Sequence, residues 1–122
     1  MEAYLAQPGA FALVGETQQT GQTDGFLIGQ VVTGRRSAKR FGYVITIDVL
    51  KKARRSGLGT LLLQEAEARM RKEGCTRVVL EVAVTNASAI SFYERHGYAK
   101  AGTHPGYYSD GTDADLMQKS LL

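Results

Sequence analysis

The sequence predicts an α/β fold built around a mixed β-sheet, and three observations support this prediction. Residues Phe41–Leu50 form an apolar segment rich in β-branched side chains, as a strand requires. After Gly57 the apolar residues recur at helical spacing. A second β-branched segment, Arg77–Thr85, follows that helix. A strand, a helix and a strand in this order favour a parallel strand pair joined by a right-handed crossover.

Before this unit, the chain alternates between apolar segments and polar turns. Phe11–Gly15 and Phe26–Thr33 are predicted strands, and the polar residues Glu16–Gly25 between them form a predicted hairpin loop. The third strand, Phe41–Leu50, has apolar residues on both sides of the chain, so we expect it to be covered on both faces. The sheet is therefore expected to begin with antiparallel strands.

The first predicted helix begins at Gly57 and ends at Glu73, where Gly74 is a typical helix stop. Its apolar residues recur at every fourth position, which places them on one face that we expect to pack on the sheet. Leu61 is expected to lie beside that face. The recurring residues are Leu58, Leu62, Ala66 and Met70.

The second half of the chain continues the pattern. Asn86 is a typical N-cap for a short helix that runs to His96, and Gly97 is a typical stop. Tyr98–Gly102 and Ala114–Ser120 are the last predicted strands, separated by a loop. The predicted element order is β-β-β-α-β-α-β-β, with a sheet that is antiparallel at its start and at its end.

Length and composition narrow the class of protein. A chain of 122 residues is expected to form one domain, residues 1–122, with its own core. The single cysteine, Cys75, excludes an internal disulfide, and no metal-ligand spacing surrounds it, so no metal is predicted. The absence of a long apolar run or a signal pattern predicts no membrane association and a cytoplasmic location.

The basic residues are clustered in two predicted loops, which would attract phosphorylated ligands. The net charge is +3. A nucleic-acid partner has the least support, because no aromatic residues alternate with the basic ones. The two clusters are Arg35, Arg36, Lys39 and Arg40, and then Lys51, Lys52, Arg54 and Arg55.

An anion site is predicted where the first helix begins. A helix N-terminus presents N–H groups and partial positive charge, and Gly57 and Gly59 allow close approach to the backbone. The P-loop pattern is excluded because Thr60 stands where it needs lysine, and the dinucleotide fingerprint because Leu62 replaces its third glycine. The alternative is a helix start preceded by solvated arginines.

Two motifs carry a resemblance to the GNAT superfamily of acyl-CoA N-acyltransferases. Arg54-x-x-Gly57-x-Gly59 resembles its pyrophosphate loop, [QR]-x-x-G-x-[GA]. Leu80–Tyr98 resembles its second motif, in which Asn86 and Tyr93 lie seven residues apart on one helix face. The tail from Tyr107 to Ala114, ahead of Met117, resembles the protein N-terminal acetyltransferases, with the ribosomal-protein alanine N-acetyltransferase group closest.

The resemblance implies acetyl-CoA as the cofactor and assigns residues to hold it. It places the pantetheine arm on the backbone of Ile47, Asp48 and Val49, where a main-chain N–H would also stabilise the developing oxyanion. Asn86 would hydrogen-bond the pantetheine, although its role as a helix cap also explains it. The pyrophosphate is assigned to Arg54, Arg55, Ser56, Gly57, Leu58, Gly59 and Thr60.

The resemblance also implies an acid and a base for acetyl transfer to an amine. Tyr93 is matched to the general acid that protonates the departing thiolate, although its ring would pack on the core in either case. Glu81 is matched to the base, and a carboxylate in this apolar strand needs a partner or a cleft. A structural ion pair is the alternative for Glu81, and Asp48 is the second candidate for the base. His96 and His104 are read as a helix-end residue and a loop residue without partners.

The acceptor is implied to be a primary amine, most closely the α-amine of a protein or peptide. Tyr107 and Tyr108 would line its site, or they would merely cover the sheet edge. The family begins with a strand and helices that this chain lacks, so a shortened form or a homodimer that supplies the missing wall is expected. The alternatives are a small-amine acetyltransferase and a CoA-binding module without turnover.

Overall fold

The computed structural model describes residues 8–16, 23–35, 39–51, 54 and 56–122. Six strands and two helices lie within these ranges, in the predicted order β-β-β-α-β-α-β-β. The strands are β1 (Ala10–Glu16), β2 (Thr23–Thr33), β3 (Arg40–Val49), β4 (Cys75–Ala83), β5 (Ala99–His104) and β6 (Ala114–Ser120). The helices are α1 (Leu58–Lys72) and α2 (Ala87–Arg95).

The strands form one mixed sheet in the order β1-β2-β3-β4-β6-β5. Strands β3 and β4 are parallel and α1 connects them, while the other neighbouring pairs are antiparallel. The predicted mixed sheet with a central parallel pair is therefore confirmed. Within the part of the chain that the structure describes, neither helix has the length and apolar composition needed to span a bilayer.

Helix α1 supplies the apolar layer over the sheet. Leu58, Leu62, Ala66 and Met70 are buried as predicted, and Leu63 is buried with them. The prediction for Leu61 was wrong, because this side chain is 60% exposed. With about 3.6 residues per turn, Leu61 lies on the side of the helix away from this stripe.

Strand β3 is covered on one face, and the prediction of two covered faces was wrong. Its buried residues are Gly42 and Val44, whereas Tyr43 and Ile45 on the other side are only partly buried. Met70 lies so close over Gly42 that a Cβ there would overlap its thioether, which explains the glycine. Because helix α2 joins the same buried cluster as α1, the opposite face of the sheet keeps an open cavity.

The two parallel strands pair only along their first halves. The pairing runs from Arg40 with Cys75 to Val44 with Leu80, and no later residues of β3 and β4 are paired with each other. The register between β2 and β3 shifts at the same level, so that Ile45 forms a bulge. A gap therefore opens between the C-terminal halves of β3 and β4, as a ligand site between them requires.

Candidate active site

Glu81 lies on the open face of β4, where two side chains bond its carboxylate. Tyr43 Oη donates a hydrogen bond to Glu81 Oε1, and His104 Nδ1 lies 3.1 Å from Oε2. The side chain of Glu81 is 14% exposed, and that of His104 is 60% exposed. The carboxylate thus has the partners that a half-buried charge requires, and it also faces a cavity. His104 is thus the basic neighbour that the alternative, structural role of Glu81 requires.

A cavity of about 410 Å³ opens in front of this carboxylate. Tyr107 and Tyr108 line it, as the resemblance implied, and their rings meet edge to face with centroids 5.0 Å apart. The His104 ring lies 4.8 Å from that of Tyr107. The complete lining is Gln30, Tyr43, Ile45, Thr46, Glu81, Tyr107 and Tyr108. A carboxylate set among aromatic rings suits an organic ammonium group.

The loop after β5 holds the two tyrosines in place through its own backbone. Tyr108 N–H donates to Thr112 O at 3.1 Å, and Gly111 N–H donates to Tyr108 O at 2.9 Å. Asp113 Oδ1 accepts from Gly106 N–H at 2.9 Å. These short-range bonds close the loop on itself and help to hold Tyr107 and Tyr108 in place.

The hydroxyls around Glu81 stay protonated at ordinary pH. Burial raises the pKa of Tyr43, and its bonds with Glu81 and Tyr107 raise that pKa further. Burial also raises the pKa of Tyr108. Tyr43 is therefore a hydrogen-bond donor that fixes one carboxylate oxygen, and it is unsuited to act as a base.

Tyr93 lies in the core and is 7% exposed. Its ring meets Phe92 and Tyr98 edge to face, with centroids at 5.4 Å and 5.7 Å. Burial, and next the nearby Tyr108, raise the pKa of Tyr93 to about 12. Among the described residues its hydroxyl receives and donates no hydrogen bond, so the phenol keeps its proton available. The ring therefore packs on the core, and the hydroxyl is free to donate its proton to another group.

The predicted anion site lies at the start of α1. Gly57 is the N-cap with φ of 85°, a left-handed conformation that favours glycine. The helical hydrogen-bond ladder begins with Leu61 N–H to Gly57 O, so the amides of Leu58, Gly59 and Thr60 precede it. Ser56 Oγ accepts from Leu58 N–H at 3.3 Å. The first turn carries no acidic residue, which leaves this end of the helix suited to an anion.

Of the two arginines before this turn, Arg54 is described and Arg55 lies outside the described residues. Arg54 Nε donates to Val49 O at 3.0 Å, so part of its guanidinium holds the end of β3. The side chain is exposed. Arg54 thus ties the end of β3 to the turn that precedes the helix.

The main chain of β3 faces the gap at alternate residues. Leu50 N–H donates to Asp24 O at 2.7 Å, and residues in an antiparallel ladder bond the neighbouring strand alternately. Val49, which is paired with Gly25, therefore directs its N–H and C=O away from β2, and the bond from Arg54 agrees with this. Ile47 faces the same way two residues earlier. The main-chain groups of Ile47 and Val49 thus face the gap, whereas those of Asp48, the third residue assigned to pantetheine, face β2 by the same alternation. The contact of this strand with pantetheine stays a prediction.

Two other predicted residues have simpler surroundings. Asn86 caps α2, because its side chain accepts from Ala89 N–H at 3.2 Å, and it is exposed. That cap accounts for the asparagine, and its contact with pantetheine stays a prediction. Asp48 is exposed and does not line the cavity, so its role as second candidate base has no geometric support.

The prediction that both histidines lack partners was wrong. His104 bonds Glu81, and His96 bonds Thr60 and the Phe92 carbonyl. His104 reaches Glu81 because β6 lies between β5 and β4, which brings a residue 23 positions away to the same site. Sequence spacing carries no signal for that contact. Within the described residues, no group of three metal-binding side chains comes together.

Comparison with known proteins agrees with this geometry. The model of the acetyltransferase (GNAT) family matches residues 2–98. The chain belongs to the GNAT family of acetyltransferases. It is 40% identical over 86 residues to an N-alpha-acetyltransferase of Saccharolobus solfataricus, covering 70% of this chain and 52% of that relative. This GNAT chain thus spans about half the length of that relative.

Solved GNAT structures show the same fold. The ribosomal-protein-S18-alanine N-acetyltransferase from Escherichia coli superimposes with a TM-score of 0.80 at 28% identity, covering 98% of this chain and 74% of that one. The NatB acetyltransferase complex bound to CoA and MES superimposes with a TM-score of 0.79 at 26% identity, covering 89% and 72%. The predicted family is confirmed.

Proposed function

We propose that this chain transfers the acetyl group of acetyl-CoA to a primary amine, the α-amine of a protein or peptide. The observation that carries the proposal is that Tyr108 lies close to both Glu81 and Tyr93. Tyr108 lines the Glu81 cavity and is close enough to Tyr93 to raise its pKa. A base and an acid at one opening are what amine acetylation needs.

The residues at the gap fit acetyl-CoA, which supplies an activated thioester when bound. The outward main chain of Ile47 and Val49, with Asp48 between them, would hold the amides of the pantetheine arm as an added strand holds its neighbour. The amides before the α1 ladder would hold the diphosphate. The side chains assigned to this end are those of Arg54, Arg55 and Ser56, and the turn itself is Gly57, Leu58, Gly59 and Thr60. Asn86 is assigned to the pantetheine.

Glu81 removes a proton from the acceptor ammonium, directly or through water. Its two oxygens are oriented by Tyr43 and His104, so the carboxylate does not need to reorganise. His104 is more than half exposed and can pass the proton on to solvent. The neutral amine then forms the new C–N bond, while Val49 N–H stabilises the negative charge on the carbonyl oxygen.

Tyr93 completes the reaction at the leaving group. As the C–S bond breaks, the phenol donates its proton to the sulfur, and the product is the free thiol. Burial keeps the phenol protonated through the neutral range, since its pKa is raised to about 12. The nitrogen loses its second proton to solvent as the amide forms, and the tyrosinate recovers a proton from solvent before the next turnover.

The acceptor is proposed to be a chain terminus because the cavity suits an ammonium group that carries a side chain. Glu81 attracts the charge, and Tyr107 and Tyr108 offer apolar surface for the first side chain of a peptide. A small free amine would fill little of the 410 Å³ cavity.

Thiol release from acetyl-CoA, measured with a peptide panel and with small amines, tests the proposal. Peptides with free α-amines should be acetylated, and Glu81→Gln should lower kcat/KM by about 10²–10⁴-fold. The matched control is Glu94→Gln, an exposed carboxylate on α2 that should leave the rate unchanged. If only small amines were acetylated, the protein would be a small-amine acetyltransferase. If CoA bound but no thiol were released, the protein would be a CoA-binding module without turnover.

Two further expectations belong to this proposal. Strand β1 is an edge of the described sheet, and an open edge favours pairing with another strand, so a homodimer is proposed. Sedimentation at several concentrations tests it, since a single monomeric species throughout would exclude it. A cytoplasmic location also stays a prediction, which fractionation of cells expressing the tagged chain would check.

A further inference from the structure

His96 connects the end of α2 to the first turn of α1. Its Nδ1 lies 2.7 Å from Phe92 O, and its Nε2 lies 3.0 Å from Thr60 Oγ1. The ring also contacts that of Phe92, with centroids 4.5 Å apart and planes tilted by 43°. Both His96 and Thr60 are partly buried. A histidine outside the acceptor cavity is thus bonded to Thr60, one of the three residues whose amides form the proposed diphosphate site.

The bonding partners determine where the protons lie. A carbonyl oxygen only accepts, so Nδ1 must carry a hydrogen and donate it to Phe92 O. In the neutral ring Nε2 is then bare and accepts the hydroxyl proton of Thr60. In the protonated ring Nε2 carries a hydrogen and donates to Thr60 Oγ1. The hydrogen bond between the two residues therefore reverses its direction when His96 takes up a proton.

That reversal changes what Thr60 offers to an anion. The hydroxyl has one hydrogen, and it donates that hydrogen to Nε2 when the ring is neutral. Only the lone pairs of the hydroxyl oxygen then face the start of the helix. When His96 is protonated, the hydroxyl hydrogen is released and can be donated to an anion there. Side chains on a helix lean towards its N-terminus, which puts the Thr60 hydroxyl on the side of the diphosphate.

We propose that His96 is a positioning residue for the cofactor: diphosphate binding at the start of α1 draws a proton onto His96, with the Thr60 hydroxyl as the link. This inference rests on the proposed function, because it uses the same diphosphate site. The proton comes from solvent, and no bond other than hydrogen bonds is made or broken.

The surroundings of His96 are compatible with a positive ring. His96 is the C-cap of α2, and the C-terminal end of a helix favours positive charge. Thr60 is the uncharged group that α1 presents to it. On its own element the flanking residues Glu94 and Arg95 are exposed. From β6, Lys119 lies against the neighbouring Gly97 and is paired with Glu67 at 2.9 Å.

Calorimetric titration with dephospho-CoA tests the inference. This ligand keeps the diphosphate but lacks the 3′-monophosphate, which itself titrates near pH ~6 and would obscure the measurement. Titrations are run in buffers of different ionisation enthalpy, and the slope of the observed enthalpy gives the protons taken up. We expect uptake of up to one proton and an affinity that falls with rising pH, by at most about tenfold per unit. Pantetheine, which has no diphosphate, should bind without uptake.

Variants separate the link through Thr60 from a simple attraction between charges. Thr60→Val keeps the shape of the side chain but removes the hydroxyl, and it should abolish the proton uptake. His96→Asn keeps a donor for Phe92 O and has nothing to titrate, so it should abolish the uptake as well. His104→Asn changes the other of the two histidines and should leave the uptake in place.

The outcomes are distinct. Uptake that persists in Thr60→Val would overturn the inference in favour of direct charge attraction, and uptake that persists in His96→Asn would place the proton elsewhere. Binding of dephospho-CoA without any uptake would also overturn it, while leaving the proposed function intact. Failure of dephospho-CoA to bind the unaltered protein would refute the cofactor site itself, and with it both proposals.

Discussion

Replacing Tyr93 with phenylalanine removes one hydroxyl and leaves a buried ring in place. The contacts with Phe92 and Tyr98 involve the ring alone, and the hydroxyl has no hydrogen-bond partner among the described residues. The fold should therefore lose less than about 1 kcal/mol of stability. Without its general acid, the reaction should slow by about 10²–10⁴-fold in kcat, which corresponds to roughly 3–5 kcal/mol in the barrier.

The measurements are kcat and KM from thiol release, CoA affinity from calorimetry, and the melting temperature. Tyr98→Phe is the matched control, because the Tyr98 hydroxyl donates to the buried Glu67 at 2.8 Å and takes no part in the proposed chemistry. It should lower the melting temperature and keep most of the turnover. We therefore expect Tyr93→Phe to lower turnover with little loss of stability, and Tyr98→Phe to lower stability with little loss of turnover.

The reasoning on Tyr93 would be refuted if Tyr93→Phe retained its turnover, or if kcat and CoA affinity fell in equal proportion. The second result would make Tyr93 a binding group. The pH dependence gives an independent check. Because the pKa of Tyr93 is raised to about 12, its ionisation should cause no fall in kcat below pH ~11.

Three further predictions concern the scaffold. Gly57→Ala places a side chain at φ of 85°, so we expect a loss of about 1–2 kcal/mol and weaker dephospho-CoA binding, measured by denaturation and calorimetry. Lys119→Met should lower the free energy of unfolding by about 2–3 kcal/mol, because it leaves the buried Glu67 without its cation. Denaturant titration checks this, and the double variant Lys119→Met/Glu67→Gln should recover part of the loss. Burial and the bond to Glu67 raise the pKa of Tyr98, so its contribution to stability is complete below pH ~10, the unfolded value, and is lost as the pH rises further. Alkaline melting curves of the unaltered protein and Tyr98→Phe should converge above that pH, and parallel curves would contradict the assignment.

Most of the fold could be predicted because its signals are local. The change from strand spacing to helical spacing at Gly57 identifies α1 and the strands on either side of it. Burial of Leu58, Leu62, Ala66 and Met70 follows from that spacing alone. Leu61 was assigned incorrectly because apolar character by itself does not say on which side of a helix stripe a residue lies.

Motif resemblance singled out Glu81 and Tyr93 as the proposed base and acid, whereas it did not indicate which side chains bond to Glu81. Tyr43 and His104 reach Glu81 from 38 and 23 residues away, and His96 reaches Thr60 from 36 residues away. No periodicity relates residues at such distances. The contacts exist because β4 lies between β3 and β6, with β5 beyond β6, and because the end of α2 lies against the first turn of α1.

The amino-acid sequence by itself determined the order of the elements, the glycine turn at the start of α1 and the chemical character of Glu81 and Tyr93. These depend on spacing and on side-chain type, which are properties of short segments. Only the tertiary structure decided which side chains bond to Glu81 and Thr60, and that the open face of the sheet carries a cavity beside Glu81. Those features depend on strand order and on the separation of β3 from β4, which arise only when distant segments pack together.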